Sequence, residues 1–245
     1  MFVLFTDFGL EGPYTGQMKA VLLRTAPEIP IIDLFADAPA FDPRASAYLL
    51  AAYCSAFPKD SIFLTVIDPG VGSTRAPIIL EADGQRFVGP DNGVLDLVAR
   101  RAAACQYGEI LYHPEDLSAS FHGRDLFAPV AAMLANGHPV STRELSAGER
   151  PGTDWPDDLA EIVYLDRYGN AMTGLRGSKI PLDATISIAG QELDAARTFS
   201  DVPDGGAFWY ENANGLVEIA VNGGHAGNRL GLEVGTPLRY DTAPA

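Results

Sequence analysis

The sequence is poor in several residue types, and each shortage excludes a class of protein. Its 245 residues include only two cysteines, too few for a disulfide framework or a four-cysteine zinc site. Lysine and arginine total 17 against 32 aspartates and glutamates, a net charge of −15. A chain this acidic, with no basic cluster, is a poor binder of nucleic acid. We therefore expect no nucleic-acid partner and a surface compatible with a cationic small ligand.

Long apolar runs are also missing. No stretch approaches the roughly 20 residues that a membrane helix needs, so we expect no membrane association. The first residues, MFVLFTDFGL, have neither a basic start nor a small-residue cleavage site, so no signal peptide is predicted. The remaining composition, 47% hydrophobic and 20% charged, is that of a globular protein. These features favour a cytoplasmic protein.

The first 140 residues alternate short apolar runs with longer amphipathic ones. The apolar runs predict buried strands at 2–6, 29–34, 61–67, 78–81 and 109–112. Helical spacing between them predicts helices at 17–25, 44–57, 93–103 and 124–136. Strands that alternate with helices indicate an α/β domain with a mostly parallel central sheet.

The pattern changes after residue 140. Residues 141–158 are polar and include two prolines and two glycines, which is typical of a linker. Beyond them, short strands separated by turns are predicted without any helix, at 161–165, 185–188, 207–210, 216–221 and 237–240. We therefore predict two domains, an α/β domain over 1–140 and a small all-β, barrel-like domain over 159–245.

Acidic residues stand where three N-terminal strands end. Asp7 follows the first strand, Asp68 follows the strand at 61–67, and Asp91-Asn92 follows the apolar pair at 87–88. Ligands of open α/β sheets bind beyond the carboxyl ends of the strands, so three acids there predict the floor of a pocket. Each acid alone is also what an ordinary turn uses.

Two further clusters of polar residues are compatible with more than one role. His122 stands just before a predicted helix, with Asp125 in its first turn. A histidine at a helix N-terminus favours its neutral form, although on the residues alone a cap residue with no chemical role is favoured. The run Asp166-Arg167-Tyr168-Gly169-Asn170 suits stacking on a flat ring and bonding to its edge. On the residues alone, a hairpin turn is favoured for this run.

Taken without any relative, these residues also suit a metal-dependent phosphohydrolase, because carboxylates and a histidine at strand ends are what such sites use. Its candidate residues are Asp7, Asp68, Asp91, Asn92, His122 and Asp125.

Seven blocks, in order along the chain, carry a resemblance to a known family. They are TDFG at 6–9, GQMKAVL at 16–22, FDPR at 41–44, VIDPGVGSTR at 66–75, FVGPDNGVL at 87–95, FHGRDLFAP at 121–129 and LDRYGNAMT at 165–173. Together they resemble the S-adenosyl-L-methionine hydrolases that form adenosine, relatives of the fluorinase and chlorinase. The resemblance implies hydrolysis by in-line attack of water on C5′, with no metal and no cofactor. It also implies a homotrimer whose site lies between the N-terminal domain of one subunit and the C-terminal domain of its neighbour.

The resemblance implies roles for five residues of the N-terminal half. Asp68, Arg75 and His122 match the polar triad that holds the attacking water. Asp68 and a neutral His122 would accept protons from that water, while Arg75 would orient Asp68. Asp7 matches the residue that binds the ribose hydroxyls, and Phe41 matches an aromatic position beside the nucleoside.

Matches in the C-terminal half concern the two ends of the substrate. Asp166 matches the residue that faces the methionine ammonium, and Tyr168 and Asn170 match adenine contacts. Residues 222–232, which begin with Asn222, match a segment of mainly backbone contacts. The chain departs from the family at Gly12-Pro13, where relatives often carry an acid near the amino-acid end of the substrate.

Two alternatives use the same adenosyl ligand. A halogenase is disfavoured because Asp68 would repel a halide about 4 Å away by roughly 4 kcal/mol at an effective dielectric constant of about 20. A non-catalytic binding or sensing protein would have no need of a triad that activates water.

Overall fold

The computed structural model describes residues 1–146 and 150–241. They form two compact units, one running from Met1 to Trp155 and a second that begins at Pro156. Residues 147–149 of the expected linker and 242–245 of the expected C-terminal domain lie outside the described residues. Within the described ranges, none of the helices has the length and apolar character needed to cross a membrane.

The first unit is a seven-stranded sheet flanked by helices. Its strands are β1 (Phe2–Thr6), β2 (Ile31–Phe35), β3 (Ile62–Val66), β4 (Pro77–Ala82), β5 (Gln85–Pro90), β6 (Cys105–Ile110) and β7 (Thr142–Leu145), in the order β2-β1-β3-β5-β4-β6-β7. The helices are α1 (Tyr14–Thr25), α2 (Pro43–Tyr53), α3 (Asp96–Arg101) and α4 (Ala128–Ala135). Helices α1 and α4 pack on the face that buries Phe2 and Leu4. The expected α/β class is confirmed.

Half of this sheet is parallel and half is antiparallel. Strand β1 pairs in parallel with β2 and β3, and β3 with β5, whereas β5, β4, β6 and β7 pair antiparallel. The antiparallel half begins at the turn between β4 and β5, where Asp83 and Gly84 have φ of 48° and 90°. Two positive φ values are typical of a type I′ hairpin turn, which Asp-Gly favours. The sheet is therefore mixed, and the parallel expectation holds for its β2-β1-β3-β5 half.

Several elements differ from the expected ones. Strand β6 lies earlier than the predicted strand at 109–112, in antiparallel register with β4. Strand β7 lies inside the expected linker 141–158 and pairs with β6. The second unit contains a helix, α5 (Ala226–Leu230), where none is predicted. Five residues between the His225 cap and Gly231 are too few to show helical periodicity.

The second unit is built mainly from antiparallel strands in two sheets. They are β8 (Leu159–Leu165), β9 (Ala171–Arg176), β10 (Thr185–Ile188), β11 (Gln191–Leu193), β12 (Ala207–Glu211), β13 (Leu216–Val221) and β14 (Leu238–Asp241). The sheet orders are β12-β13-β9-β8 and β11-β10-β14. Isolated bridges, Glu161 with Pro237 and Ala195 with Trp209, link the two sheets at both edges. Trp209 is fully buried in the core that both sheets share.

Gly89 at the end of β5 allows this strand to approach β3 closely. A Cβ atom on Gly89 would lie 2.3 Å from the Thr65 carbonyl oxygen. Because that oxygen belongs to the backbone of a central strand, it cannot rotate away. The close contact holds together the strand ends from which the acidic loops emerge.

We expect Gly89→Ala to lower the free energy of unfolding by about 1–3 kcal/mol, the usual cost of overpacking a core. Gly16→Ala in α1 is the matched control, because no atom other than those of its chain neighbours and its own helix backbone lies within 4 Å of its Cβ position. In a helix that change is expected to stabilise by roughly 0.5–1 kcal/mol. Urea denaturation of both variants measures the difference, and equal stabilities would contradict this account of Gly89.

Candidate functional site

A cavity of about 340 Å³ opens at the carboxyl ends of β1 and β3. Asp7 directly follows β1, Asp68 stands two residues after β3, and His122 directly precedes a π-helical turn at Gly123–Phe127. All three line the cavity, together with Phe41. The structure thus brings four of the predicted site residues to one place.

Arg75 links Asp68 to His122. Its Nε donates to Asp68 Oδ1 at 2.8 Å, and its Nη2 donates to Asp68 Oδ2. The same Nη2 lies 2.9 Å from His122 Nδ1. The Asp68 and Arg75 side chains are 5% and 10% exposed, and the guanidinium lies 5.3 Å from the centre of the Phe127 ring. A bidentate, largely buried pair of this kind has a well-defined orientation.

The contact with Arg75 determines which ring nitrogen of His122 carries the proton. A guanidinium has only donors, so His122 Nδ1 accepts and the neutral ring is protonated at Nε2. Burial, followed by the positive charge of Arg75, lowers the pKa of His122, in agreement with the expected neutral form. The Nδ1 lone pair is occupied, however, so the other ring nitrogen, Nε2, is an N–H donor rather than the expected acceptor.

Asp7 holds the backbone of Phe41. The Phe41 N–H donates to Asp7 Oδ2 at 2.9 Å, and Phe41 has a φ of 59°, which is unusual for a bulky residue. The Phe41 side chain is 78% exposed at the rim of the cavity. Burial raises the pKa of Asp7, the Phe41 N–H opposes this effect, and the negative charge of Asp68 adds to it.

A proline explains the π-helical turn that follows His122. The Ala128 N–H donates to the Gly123 carbonyl, five residues earlier. The next residue, Pro129, has no N–H, and its ring crowds the carbonyl of Asp125 in a regular α-helix. The wider turn accommodates the proline, and such turns are frequent at functional sites. In FHGRDLFAP, the proline therefore shapes the segment on which His122 stands.

The cavity is also lined by an aromatic cluster, and this cluster is not predicted from the sequence. Phe8, Tyr14 and Phe121 contact one another with ring centroids 5.4 to 5.8 Å apart. The Arg124 guanidinium lies 5.0 Å from the centre of the Phe121 ring and donates to Gln17 Oε1 at 2.8 Å. Phe8 and Phe121 stand inside two motif blocks, but no local periodicity connects residues so far apart in the chain.

The remaining acids of the phosphohydrolase hypothesis are paired outside the cavity lining. Asp91 accepts from Arg150 at 2.8 Å, and Asp125 forms an ion pair with Arg124. Over residues 1–146 and 150–241, no group of three or more His, Cys, Asp or Glu side chains is arranged to hold a metal ion.

The C-terminal candidates lie mainly on the turn between β8 and β9. Asn170 donates to Asp166 twice, from its backbone N–H to Oδ1 at 2.9 Å and from Nδ2 to Oδ2 at 3.0 Å. Strands β8 and β9 pair antiparallel on either side, so the hairpin interpretation is confirmed. The Tyr168 side chain at its tip is 79% exposed, which leaves its ring free to stack on a ligand.

The 222–232 segment reaches the same turn by its backbone. The Gly227 N–H donates to the Gly169 carbonyl at 3.0 Å. Asn222 is directed elsewhere, since its Nδ2 donates to the Val202 carbonyl at 2.7 Å. The structure therefore joins the segment to the turn through Gly227, while the side chain of Asn222 holds another loop.

Comparison with known proteins shows one family over nearly the whole chain. Residues 2–144 match the SAM hydroxide adenosyltransferase N-terminal domain, and residues 160–239 match the C-terminal domain. A protein of Thermus thermophilus named (R)-S-adenosyl-L-methionine hydrolase is 36% identical, over 96% of each chain. A protein of Nocardia brasiliensis named fluorinase is 22% identical over 96% of this chain and 94% of its own. The crystal structure of an uncharacterized conserved protein from Thermotoga maritima superposes with a TM-score of 0.88 at 31% identity, covering 98% of this chain and 100% of the other.

We expect the ¹⁵N spectrum of His122 to show a ring protonated at Nε2, with a pKa below the ordinary value of about 6.5. Arg75→Gln should raise that pKa, because a positive charge is lost, but not fully restore it, because burial is the larger cause. A histidine-selective titration measures both values, and a His122→Gln sample assigns the signal. A wild-type ring protonated at Nδ1 would contradict the proposed hydrogen bond.

Proposed function

The chain belongs to the SAM hydroxide adenosyltransferase family, and on that premise we propose that it hydrolyses S-adenosyl-L-methionine to adenosine and L-methionine. The observation that carries this proposal is that Asp7, Asp68 and His122 line one cavity and that Arg75 bridges the last two. A relative named for this activity shares 36% of its residues over nearly the full length.

The reaction requires little beyond a well-placed water. As the water oxygen bonds to C5′, the C5′–S bond breaks and its electron pair leaves with sulfur, so the sulfonium becomes the neutral thioether of methionine. No acid is needed to assist this leaving group. The water loses one proton and becomes the 5′-hydroxyl of adenosine. Holding the oxygen in line, about 3–3.5 Å from C5′, is the main task of the site.

We assign complementary roles to the triad. Asp68 accepts a hydrogen bond from the water and takes its proton, while Arg75 holds both carboxylate oxygens in a fixed orientation. His122 donates its Nε2–H to one lone pair of the water, which leaves the other to attack C5′. This role replaces the acceptor role expected from the sequence, because Arg75 already uses Nδ1.

Other residues bind the two ends of the substrate. We propose that Asp7 accepts hydrogen bonds from the ribose hydroxyls and that Phe41 lies beside the nucleoside. On the C-terminal unit, Tyr168 and Asn170 would contact adenine, and Asp166 would face the methionine ammonium. The net charge of −15 favours the approach of a cationic substrate.

We further propose a homotrimer in which the C-terminal unit of a neighbouring subunit completes each site. The exposed Phe41 and Tyr168 side chains are the aromatic surfaces that would face the nucleoside from the two subunits. The C-terminal unit would act as one barrel-like body, supported by the bridges at both edges of its two sheets and by their common core.

Incubation with S-adenosyl-L-methionine in H₂¹⁸O tests the reaction directly. We expect equal amounts of adenosine and methionine, with ¹⁸O only in adenosine, and the same rate with a chelator present. Asp68→Asn, which keeps the shape but removes the base, should lower kcat by about 10²–10⁴-fold and still bind adenosine. If the adenosyl ligand binds without turnover, the protein is a sensor. A loss of rate with chelator would indicate a metallohydrolase. Formation of a 5′-halogenated adenosine when halide is added would indicate a halogenase.

Mixing two variants, each impaired in a different unit, tests the shared site. Asp68→Asn removes the base of the N-terminal unit, and Tyr168→Ala removes the exposed ring of the C-terminal unit. If each site draws on two subunits, mixed trimers will contain some sites in which both contributing units are intact, and activity will partly return. Refolding the variants together, then measuring mass and turnover, provides the test. A monomer, or no recovery in verified mixed trimers, would contradict the proposal.

A further inference from the structure

Asp91 and Asn92 follow β5 and do not line the cavity, yet they contact both ends of the loop that carries Asp68 and Arg75. We propose that Asn92 is a positioning residue for the Asp68–Arg75 pair. This proposal rests on the proposed function, because it concerns how the same site holds its water.

The two contacts are adjacent in the chain. Asn92 Nδ2 donates at 2.8 Å to the carbonyl of Ile67, the residue before Asp68. The Asp91 N–H donates at 2.8 Å to the carbonyl of Ala76, the residue after Arg75. One pair of neighbouring residues thus holds the peptide at which the Asp68–Arg75 loop begins and the peptide at which it ends.

The Asp91-Asn92 loop is itself held firmly. The Asp91 carboxylate is paired with Arg150, whose side chain is only 8% exposed and lies 3.7 Å from the centre of the Tyr107 ring. Gly93 has a φ of 95°, and a Cβ there would lie 2.5 Å from Trp155 Cη2. The loop is therefore a rigid base against which Ile67 and Ala76 are fixed.

The Asp68–Arg75 loop has few backbone hydrogen bonds of its own. Its internal backbone hydrogen bonds are two tight turns, from Val71 N–H to the Asp68 carbonyl at 3.2 Å and from Ser73 N–H to the Gly70 carbonyl at 3.0 Å. Neither turn joins the two ends of the loop, which are connected only through the Asp68–Arg75 side chains themselves. In-line attack is sensitive to position, since a displacement of about 1 Å can cost roughly 100-fold in rate. Holding the ends of the loop therefore bears directly on where the Asp68 carboxylate points.

Asn92→Asp tests the proposal, because it keeps the size of the side chain but replaces the donor to Ile67 with an acceptor. We expect kcat to fall about 10- to 100-fold, with KM for S-adenosyl-L-methionine changed less than about threefold, since Asn92 does not line the cavity. Asn92→Ser retains a donor and should keep more of the activity. Asn136→Asp is the matched control: its Nδ2 also donates to a backbone carbonyl, that of Thr25, at 2.9 Å, and its kcat should not change.

A readout without turnover separates this proposal from the reaction itself. The ¹⁵N shifts of His122 report its bond to Arg75, and we expect Asn92→Asp to change them while Asn136→Asp does not. If folded Asn92→Asp has an unchanged kcat and unchanged ¹⁵N shifts, the positioning role is overturned. It is also overturned if the whole loss in kcat/KM comes from a rise in KM, because kcat is then unaffected. If Asn92→Asp does not fold, the same comparison is made with Asn92→Ala, which also removes the donor to Ile67. A wild-type protein that releases no adenosine would refute the proposed function, while the shifts would still decide the role of Asn92.

Discussion

The site is organised around one ion pair that is largely removed from water. Transferring two charges out of water costs several kcal/mol each, and attraction repays this only when the geometry is good and the remaining donors are satisfied. Arg75 meets that condition: it serves both oxygens of Asp68, the Nδ1 of His122 and the face of the Phe127 ring. One guanidinium therefore aligns the carboxylate and selects the histidine tautomer. Because the pair is shielded from solvent, bulk water does not compete for the hydrogen bonds that hold these orientations.

The fold supplies this pair from a loop and then restrains the loop from outside. Close packing at Gly89 brings β5 against β3, so the residues that follow β5 reach the end of β3. In the segment that follows His122, Pro129 favours the π-helical turn. The strained φ of Phe41 is stabilised by Asp7, a residue of the site itself. Asp7 thus both lines the cavity and stabilises the backbone at its rim.

Much of the first unit could be predicted from the sequence. Five-residue apolar strands and amphipathic helices have strong local signals, and the rule that ligands bind beyond strand ends correctly brought Asp7 and Asp68 to one cavity. The same rule included Asp91, which instead pairs with Arg150, because a strand-end acid can serve a loop as well as a pocket. Phe41 was predicted only through family resemblance, since an exposed aromatic in a loop has no periodic pattern. The aromatic cluster of Phe8, Tyr14 and Phe121 was not predicted at all.

By itself, the sequence determined the alternation of strands and helices, the order of the motif blocks and the acidic charge, because each depends on residues near one another in the chain. The tertiary structure decided the direction of pairing on the β4 side of the sheet and the partners of each polar side chain. The clearest case is His122, whose two ring nitrogens are equivalent candidates in any sequence. Only the position of Arg75, 47 residues away, makes one of them an acceptor and the other a donor, because a guanidinium can donate but not accept.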